Sequence, residues 1–253
     1  MRVSGPFLLR RAVRHALQRA WFAGVPRMAP RIVRRLDHDR EAFTQGLVMR
    51  GGRLFESTGR PGRSQLRELD PATGRLVRAV AVPEVWAEGI ALHGDRLVQL
   101  TWKHRTAYLY DAASLGRAGE FAYDGEGWGL DACGDGFVMT DGTHQLTFRD
   151  AAFRVTRTVE VRLKGWPVRH LNDVVFAGDR VYANVWQSGH ILEIDPRQGT
   201  VTGCIDCTAL IREAAPADPE HVLNGIAFDE GSGCFLVAGK CWPVMFVVRF
   251  EPD

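Results

Sequence analysis

Gln45-Gly46-Leu47 opens a strand-like segment, and the same short phrase returns as Glu88-Gly89-Ile90, Trp128-Gly129-Leu130, Asn172-Asp173-Val174 and Asn224-Gly225-Ile226. Successive phrases are 43, 40, 44 and 52 residues apart. A repeat of this length carried by β-type sequence is the mark of a β-propeller, in which each repeat folds as one blade. A single blade cannot bury its own faces, so five repeats predict one closed all-β domain, a five-bladed β-propeller. The first residue of each phrase differs from repeat to repeat. These five positions are expected to ring one mouth of the central channel.

Working outward from each phrase, an alternating run, a polar turn and a second run follow. The paired runs are 47–49 with 54–57, 90–92 with 97–101, 174–176 with 181–185, and 226–228 with 234–238; in the third repeat the turn 133–136 leads to 137–140. The Gly, Asp and Asn in the turns are the residues tight hairpins need. Third runs end at Asp70-Pro71, Asp111, Asp150 and Asp195-Pro196, and fourth runs cover 76–82, 119–123, 155–163 and 201–205. Helical periodicity after residue 30 is confined to the region of residues 208–214. The last repeat has a third run at 244–250 and no fourth, whereas residues 31–36 read as a strand with no repeat of its own. The economical prediction is that 31–36 becomes the outer strand of the last blade, closing the ring and removing an open seam.

The composition, 45% hydrophobic and 25% charged, is that of a globular chain with a large core. A net charge near +2 makes no case for nucleic acid. The charge is uneven: residues 1–36 carry nine Arg and no acid. Residues 1–30 therefore read as a basic extension, helical over about 5–25 or disordered, ended by Pro26 and Pro30, with the rest (31–253) as a single domain. The apolar run 6–9 is too short for a signal-peptide core or a membrane span. Contact of 5–25 with a membrane surface, or a weak export signal at Arg10-Arg11, are the other readings. An odd number of cysteines, Cys133, Cys204, Cys207, Cys234 and Cys241, argues against a full disulfide framework. Cys204 and Cys207 have no second pair at metal-ligand spacing, so a local disulfide or two free thiols in a loop is expected.

In a propeller the first strand of each blade lines the channel, which brings Gln45, Glu88, Trp128, Asn172 and Asn224 to one mouth. The second strand runs back to the same face. Fourteen residues on from each phrase stand Gly59, Trp102, Gly142 and Trp186; the fifth repeat has two extra turn residues, giving Lys240. Phe43 and Trp86, each two residues before a phrase, extend the aromatic wall. A Trp in a propeller often packs between blades, and a Glu near a Lys is most often a surface pair. Indoles at repeat-equivalent positions, with Glu and Lys both inward, favour a site, because inward charges are costly unless they serve a task. Asn172 and Asn224 have turn-fixing readings as well, and Asn224 has no assigned role.

Taken together, Phe43-Thr44-Gln45-Gly46-Leu47, Glu88-Gly89, Leu100-Thr101-Trp102, Gly127-Trp128-Gly129-Leu130, Leu171-Asn172, Tyr182-Ala183-Asn184-Val185-Trp186, Leu223-Asn224-Gly225-Ile226 and Gly239-Lys240-x-Trp242-Pro243 resemble the plant-type and bacterial glutaminyl cyclases over about residues 31–250. The resemblance implies a five-bladed propeller and a metal-free site with no cofactor. It also implies conversion of N-terminal glutamine of peptides or proteins to pyroglutamate with release of ammonia. By motif position, Glu88 matches the catalytic acid/base, and Gln45, Asn172 and Lys240 match polar site residues. Trp102, Trp128 and Trp186 match the aromatic pocket. One departure stands out: the expected Asn-Glu of the fourth repeat is Asn172-Asp173, an acid shorter by one methylene. Relatives of this kind are often exported, yet no clean signal is present, which leaves the compartment open between periplasmic or secreted and cytoplasmic; a monomer is the default.

The residue types suit that chemistry. The substrate's α-amine attacks its own side-chain amide, so the enzyme must freeze a folded near-attack conformer, an ordering worth ~7–11 kcal/mol in favourable cases. A carboxylate in a desolvated aromatic pocket has raised basicity, can take the amine proton and can pass it to departing ammonia. Donors from Lys240 and Asn172 would stabilise the oxyanion. Two alternatives are a calcium-dependent propeller lactonase or esterase, against which Lys240 among the ligands argues, and a non-catalytic peptide-binding propeller, against which the inward Glu-Lys combination argues.

Overall fold

The five recurrent phrases fall on, or at the entry to, strands that are buried along nearly their whole length. These are β2 (Thr44–Arg50), β6 (Ala87–His93), β10 (Leu130–Cys133), β16 (Leu171–Ala177) and β20 (Leu223–Asp229). They belong to a computed structural model of the chain that describes Phe22 and residues 24–253. The described chain is mostly β-sheet with one short helix, α1 (Thr208–Ala214), which lies where helical periodicity was expected.

Each buried strand begins an antiparallel run of four. The first sheet continues through β3 (Arg53–Thr58), β4 (Gln65–Leu69) and β5 (Leu76–Ala81). The second continues through β7 (Arg96–Thr101), β8 (Thr106–Asp111) and β9 (Arg117–Ala122). The third continues through β11 (Gly136–Met139), β12 (Gln145–Arg149) and β13 (Val155–Glu160). An eight-stranded sheet holds the rest: β16, β17 (Arg180–Val185), β18 (His190–Ile194) and β19 (Val201–Asp206), then β1 (Arg27–Asp37), β22 (Val244–Pro252), β21 (Cys234–Gly239) and β20. β1 pairs antiparallel with β22, placing Arg31 opposite Arg249 and Leu36 opposite Met245. Its first residues also pair in parallel with β19, Arg27 opposite Cys204, and this short contact merges two four-stranded groups.

The buried strands form a closed cycle of neighbours: β2 beside β6, β6 beside β10, β10 beside β16, β16 beside β20, and β20 beside β2. Apolar clusters follow the same cycle. Val48 and Phe55 meet Ile90 and Leu97; Val98 and Leu100 meet Leu130 and Phe137; Val138 and Leu146 meet Val174 and Val181. Ile191 and Ile205 meet Ile226 and Phe246, with Leu210 and Ala214 of α1, and Ala227 and Leu236 meet Leu47 and Leu54. The outer strands β5, β9 and β13 are largely exposed. This is a propeller-like β fold.

Glycine explains how the inner strands approach. A Cβ on Gly46 would lie 2.9 Å from Gly89 Cα, one on Gly89 2.6 Å from Leu130 N, and one on Gly129 2.3 Å from the Asn172 carbonyl. In these three phrases the second residue is thus the point where one inner strand touches the next.

Several expectations need correction. The run 155–163 is not one strand: it ends at Glu160, and Arg162–Leu163 (β14) turns back to pair with Trp166–Pro167 (β15) through Lys164-Gly165, both at positive φ. The closing strand starts at Arg27 rather than at 31, and Pro30, expected to terminate a helix, lies inside it opposite Phe250. The helix expected over 5–25 lies outside the described residues except for Phe22, Gly24 and Val25, which form a turn. Cys204 and Cys207 are free thiols, and neither is in a loop: Cys204 is on β19 and Cys207 caps α1. Burial pushes the Cys204 thiol up to about 12.

Candidate active site

Four of the five phrases coincide with irregularities in strand pairing. The register of β2 with β3 shifts between Thr44 and Gly46, and β6 with β7 between Ala87 and Ile90. Likewise β16 with β17 shifts between Leu171 and Val174, and β20 with β21 between Leu223 and Ile226. A bulge re-aims side chains and frees backbone groups from the ladder, which is how the phrase residues come to face away from regular strand positions. The second ring is fixed by a recurring backbone bond. The N–H groups of Gly59, Trp102, Trp186 and Lys240 donate to the carbonyls of Phe43, Trp86, His170 and Val222, at 2.9, 2.9, 2.9 and 3.0 Å. Each acceptor stands two residues before a phrase, so both rings and the preceding residue are bound into one rim.

At that rim Gln45 Nε2 donates to Glu88 Oε1 at 3.0 Å. Both side chains are buried, as is Lys240. Burial pushes the Glu88 carboxyl well above the usual range; the Lys240 ammonium opposes this, while Asp173 and Glu126 add to it. Burial conversely lowers Lys240, and Glu88 is the principal group holding it up. The Lys240 Nζ lies 4.8 Å from the centre of the Phe43 ring. Phe43 meets Trp86 edge-on at 6.0 Å, and Trp86 meets Trp102 at 5.6 Å. Trp128 meets Trp186 edge-on at 5.8 Å. Gly59 and Gly142 are what admit these indoles: a Cβ at either would lie 2.5 Å from Trp86 Nε1 or 2.6 Å from the Trp128 ring.

The two aromatic groups are joined by a residue that the ring count passed over. Glu126 Oε2 accepts the indole N–H of Trp102 at 2.7 Å and that of Trp128 at 3.0 Å, and Lys103 Nζ stands 3.6 Å from Oε1. Glu126 holds the position two before its phrase, the register of Phe43 and Trp86, and that register was the available signal.

Asn172 and Asn224 are fully enclosed. Asn224 Nδ2 donates to the carbonyls of Thr44 and Gln45, at 3.0 and 3.1 Å, and so holds the bulge that presents Gln45. The Asn172 carbonyl accepts the Thr140 hydroxyl at 2.7 Å. Asp173, where the other phrases carry Gly, reaches across the ring: its Oδ2 accepts the N–H of Leu47 at 3.2 Å and of Ile226 at 2.9 Å. Burial drives its carboxyl well above the usual range against these backbone bonds. The shorter acid therefore ties three inner strands together. Gln45 Oε1, Asn172 Oδ1 and Asn224 Oδ1 are buried acceptors without a donor among the described residues. Buried polar atoms are ordinarily paired, and these acceptors can take hydrogen-bond donors from a ligand or from water.

Among the described residues, no three His, Cys, Asp or Glu side chains are gathered as a metal site would require. The model of the glutamine cyclotransferase family matches residues 8–250. A glutaminyl-peptide cyclotransferase of Arabidopsis thaliana is 36% identical over 226 residues, covering 87% of this chain and 71% of that protein. The crystal structure of Myxococcus xanthus glutaminyl cyclase superposes with a TM-score of 0.86 at 40% identity, covering 90% of this chain and 99% of that one. An inward carboxyl and ammonium, a carboxamide rim and an indole wall thus occur in a chain that belongs to the glutamine cyclotransferase family.

Proposed function

We propose that the chain is a five-bladed propeller enzyme, a glutaminyl-peptide cyclotransferase that closes the N-terminal glutamine of a peptide to pyroglutamate at the rim formed by Gln45, Glu88, Asn172 and Lys240. The closed cycle of inner strands supports the five-bladed reading. The same reading takes the chain from β1 onward as one catalytic domain acting as a monomer.

The observation that carries the reading is Glu88: enclosed, bonded by Gln45, beside the Lys240 ammonium, and a stronger base than an exposed carboxylate. In the reaction the α-amine nitrogen attacks the side-chain amide carbon and loses a proton to Glu88. Negative charge collects on the amide oxygen, where Lys240 Nζ and the Asn172 amide donate; one such donor is commonly worth ~3–4 kcal/mol. The carbon–nitrogen bond to the departing amide then breaks, and Glu88 returns its proton so that ammonia leaves. The carboxamide oxygens of Gln45 and Asn172 suit the N–H groups of the amine and amide. Trp86, Trp102, Trp128, Trp186 and Phe43 restrict the flexible aliphatic stem to the folded conformer. A peptide with N-terminal Gln is expected to release one ammonia per molecule, with activity retained in chelator, while its N-acetylated form releases none. No ammonia between pH 6 and 9 would overturn the assignment.

A further inference from the structure

Gly59 separates two spaces. Its backbone packs against Trp86 and Gln45 on the side of the rim, and it also lines a cleft of about 310 Å³ with Thr58, Arg60, Arg63 and Gln65. The acids and cations of this cleft are mostly matched. Asp39 bonds Arg67 at 2.9 Å, and Glu41 stands 3.6 Å from Arg63. Arg67 is further neutralised by Glu56 at 3.3 Å. Arg60 is the exception: among the described residues no carboxylate comes within ion-pair distance of it. Its guanidinium lies 4.3 Å from the centre of the Phe43 ring, the same ring that carries Lys240 at 4.8 Å.

Arg60 is also held in place. Its φ is +136°, a region costly for any residue but glycine, and Pro61 follows it. Its carbonyl accepts the N–H of Arg63 at 3.0 Å and the buried hydroxyl of Ser64 at 3.1 Å. The same hydroxyl lies 2.8 Å from Val85 O, so its one proton is shared between the two carbonyls, and its oxygen accepts the N–H of Ala87 at 3.1 Å, one residue from Glu88. The turn that carries Arg60 is therefore built onto the strand that carries the catalytic carboxyl.

We propose that Arg60 forms a subsite for a carboxylate on the second or third residue of the substrate peptide. This rests on the cyclase reading. A substrate bound by its N-terminal residue leads its next residues out over the rim. The Arg60 and Lys240 head groups lie 4.3 and 4.8 Å from the centre of one ring, hence within about 9 Å of each other, a gap comparable to the ~7 Å span of two residues plus a side chain. A guanidinium seated over an aromatic ring keeps N–H groups for a carboxylate, which it can meet with two parallel bonds. The subsite is half open to water, so its effect is moderate and falls with salt.

The test compares Gln-Glu-Ala-Ala-amide and Gln-Ala-Glu-Ala-amide with the same peptides carrying Gln in place of Glu. The readouts are kcat/KM for ammonia release and equilibrium binding followed by tryptophan fluorescence. The wild type is expected to favour one acidic peptide by about 3–10-fold, roughly 0.7–1.4 kcal/mol, with the ratio shrinking in 0.5 M salt. In Arg60→Gln the ratio collapses toward one, and Arg60→Lys restores only part of it. Absence of any acidic preference, its survival in Arg60→Gln, or an equal collapse in Arg63→Gln would overturn the subsite. If no peptide releases ammonia, the cyclase reading fails, and the binding ratio still decides the subsite in the same way.

Discussion

Glu56 and Glu88 are two buried carboxyl groups on strands of adjoining sheets, and their acidities are shifted in opposite directions. Glu56 has close partners on both oxygens: His38 Nε2 at 2.9 Å and Thr44 Oγ1 at 2.7 Å bond Oε1, and the Arg67 guanidinium is ion-paired with Oε2 at 3.3 Å. His38 Nδ1 lies 2.8 Å from the Trp242 carbonyl, so opposite an ionised Glu56 the ring bonds on both sides as imidazolium. Burial works against both charges, yet His38 and Arg67 hold Glu56 below the usual range, and Glu56 holds His38 above it. Glu88 has the Gln45 amide and a more distant ammonium, and burial prevails. The difference teaches that enclosure alone does not set a carboxyl's state; the supply of donors does. The Glu56 group clamps residues 38–44 to Trp242, the two segments that deliver Phe43 and Lys240. One acid holds the frame, and the other is left without such a set of partners.

Replacing each acid should separate the two roles. Glu88→Gln is expected to lower kcat by ~10²–10⁴-fold, the range for a general acid or base. Its melting temperature at pH 7–8 should equal or exceed that of the wild type. The sign follows from the raised value of Glu88: its stabilising share is complete below the unfolded carboxyl range and is lost as pH rises through the folded value. A near-normal rate, or a drop of several degrees, would erase the contrast with Glu56. Glu56→Ala should instead cost about 3–5 kcal/mol in urea unfolding, because it strands a buried cation pair; a loss under 1 kcal/mol would deny it a structural role. The smallest effect concerns Glu126, whose negative charge helps raise Glu88. In Glu126→Gln the acidic limb of the kcat/KM profile should move to lower pH, because a nearby negative charge that disfavours ionisation of Glu88 is removed. Tryptophan emission should change as the acceptor of two indole N–H groups weakens. An unmoved limb would mean that Glu88 is not the group titrating there.

Much of the site could be read from the chain because hairpins of constant length keep register. Residues 14 positions after a phrase return to the same rim, and the bond from Lys240 N to Val222 O follows the pattern of the other repeats despite the two extra turn residues. The pairing of residues 31–36 with the last strand was legible for a similar reason, since a strand without a repeat met a repeat without a strand. Glu126 was readable in principle from its register with Phe43 and Trp86, but an acid among aromatics breaks the pattern of residue type. The split of 155–163 turned on Lys164-Gly165, a hairpin signal inside an otherwise uniform β run.

By itself the sequence determined the period, the strand order and which side chains stand at equivalent places, because periodicity and hairpin length are local properties. Only the tertiary structure decided what those side chains do. It made Asp173 a strap across three strands, Asn224 the support of Gln45, and His38, Glu56, Arg67 and Asp39 a charge-balanced group behind the rim. The reason is that a carboxyl or carboxamide takes its role from the donors around it. Those donors arrive from segments up to 180 residues away, brought within about 3 Å by the closing of the ring.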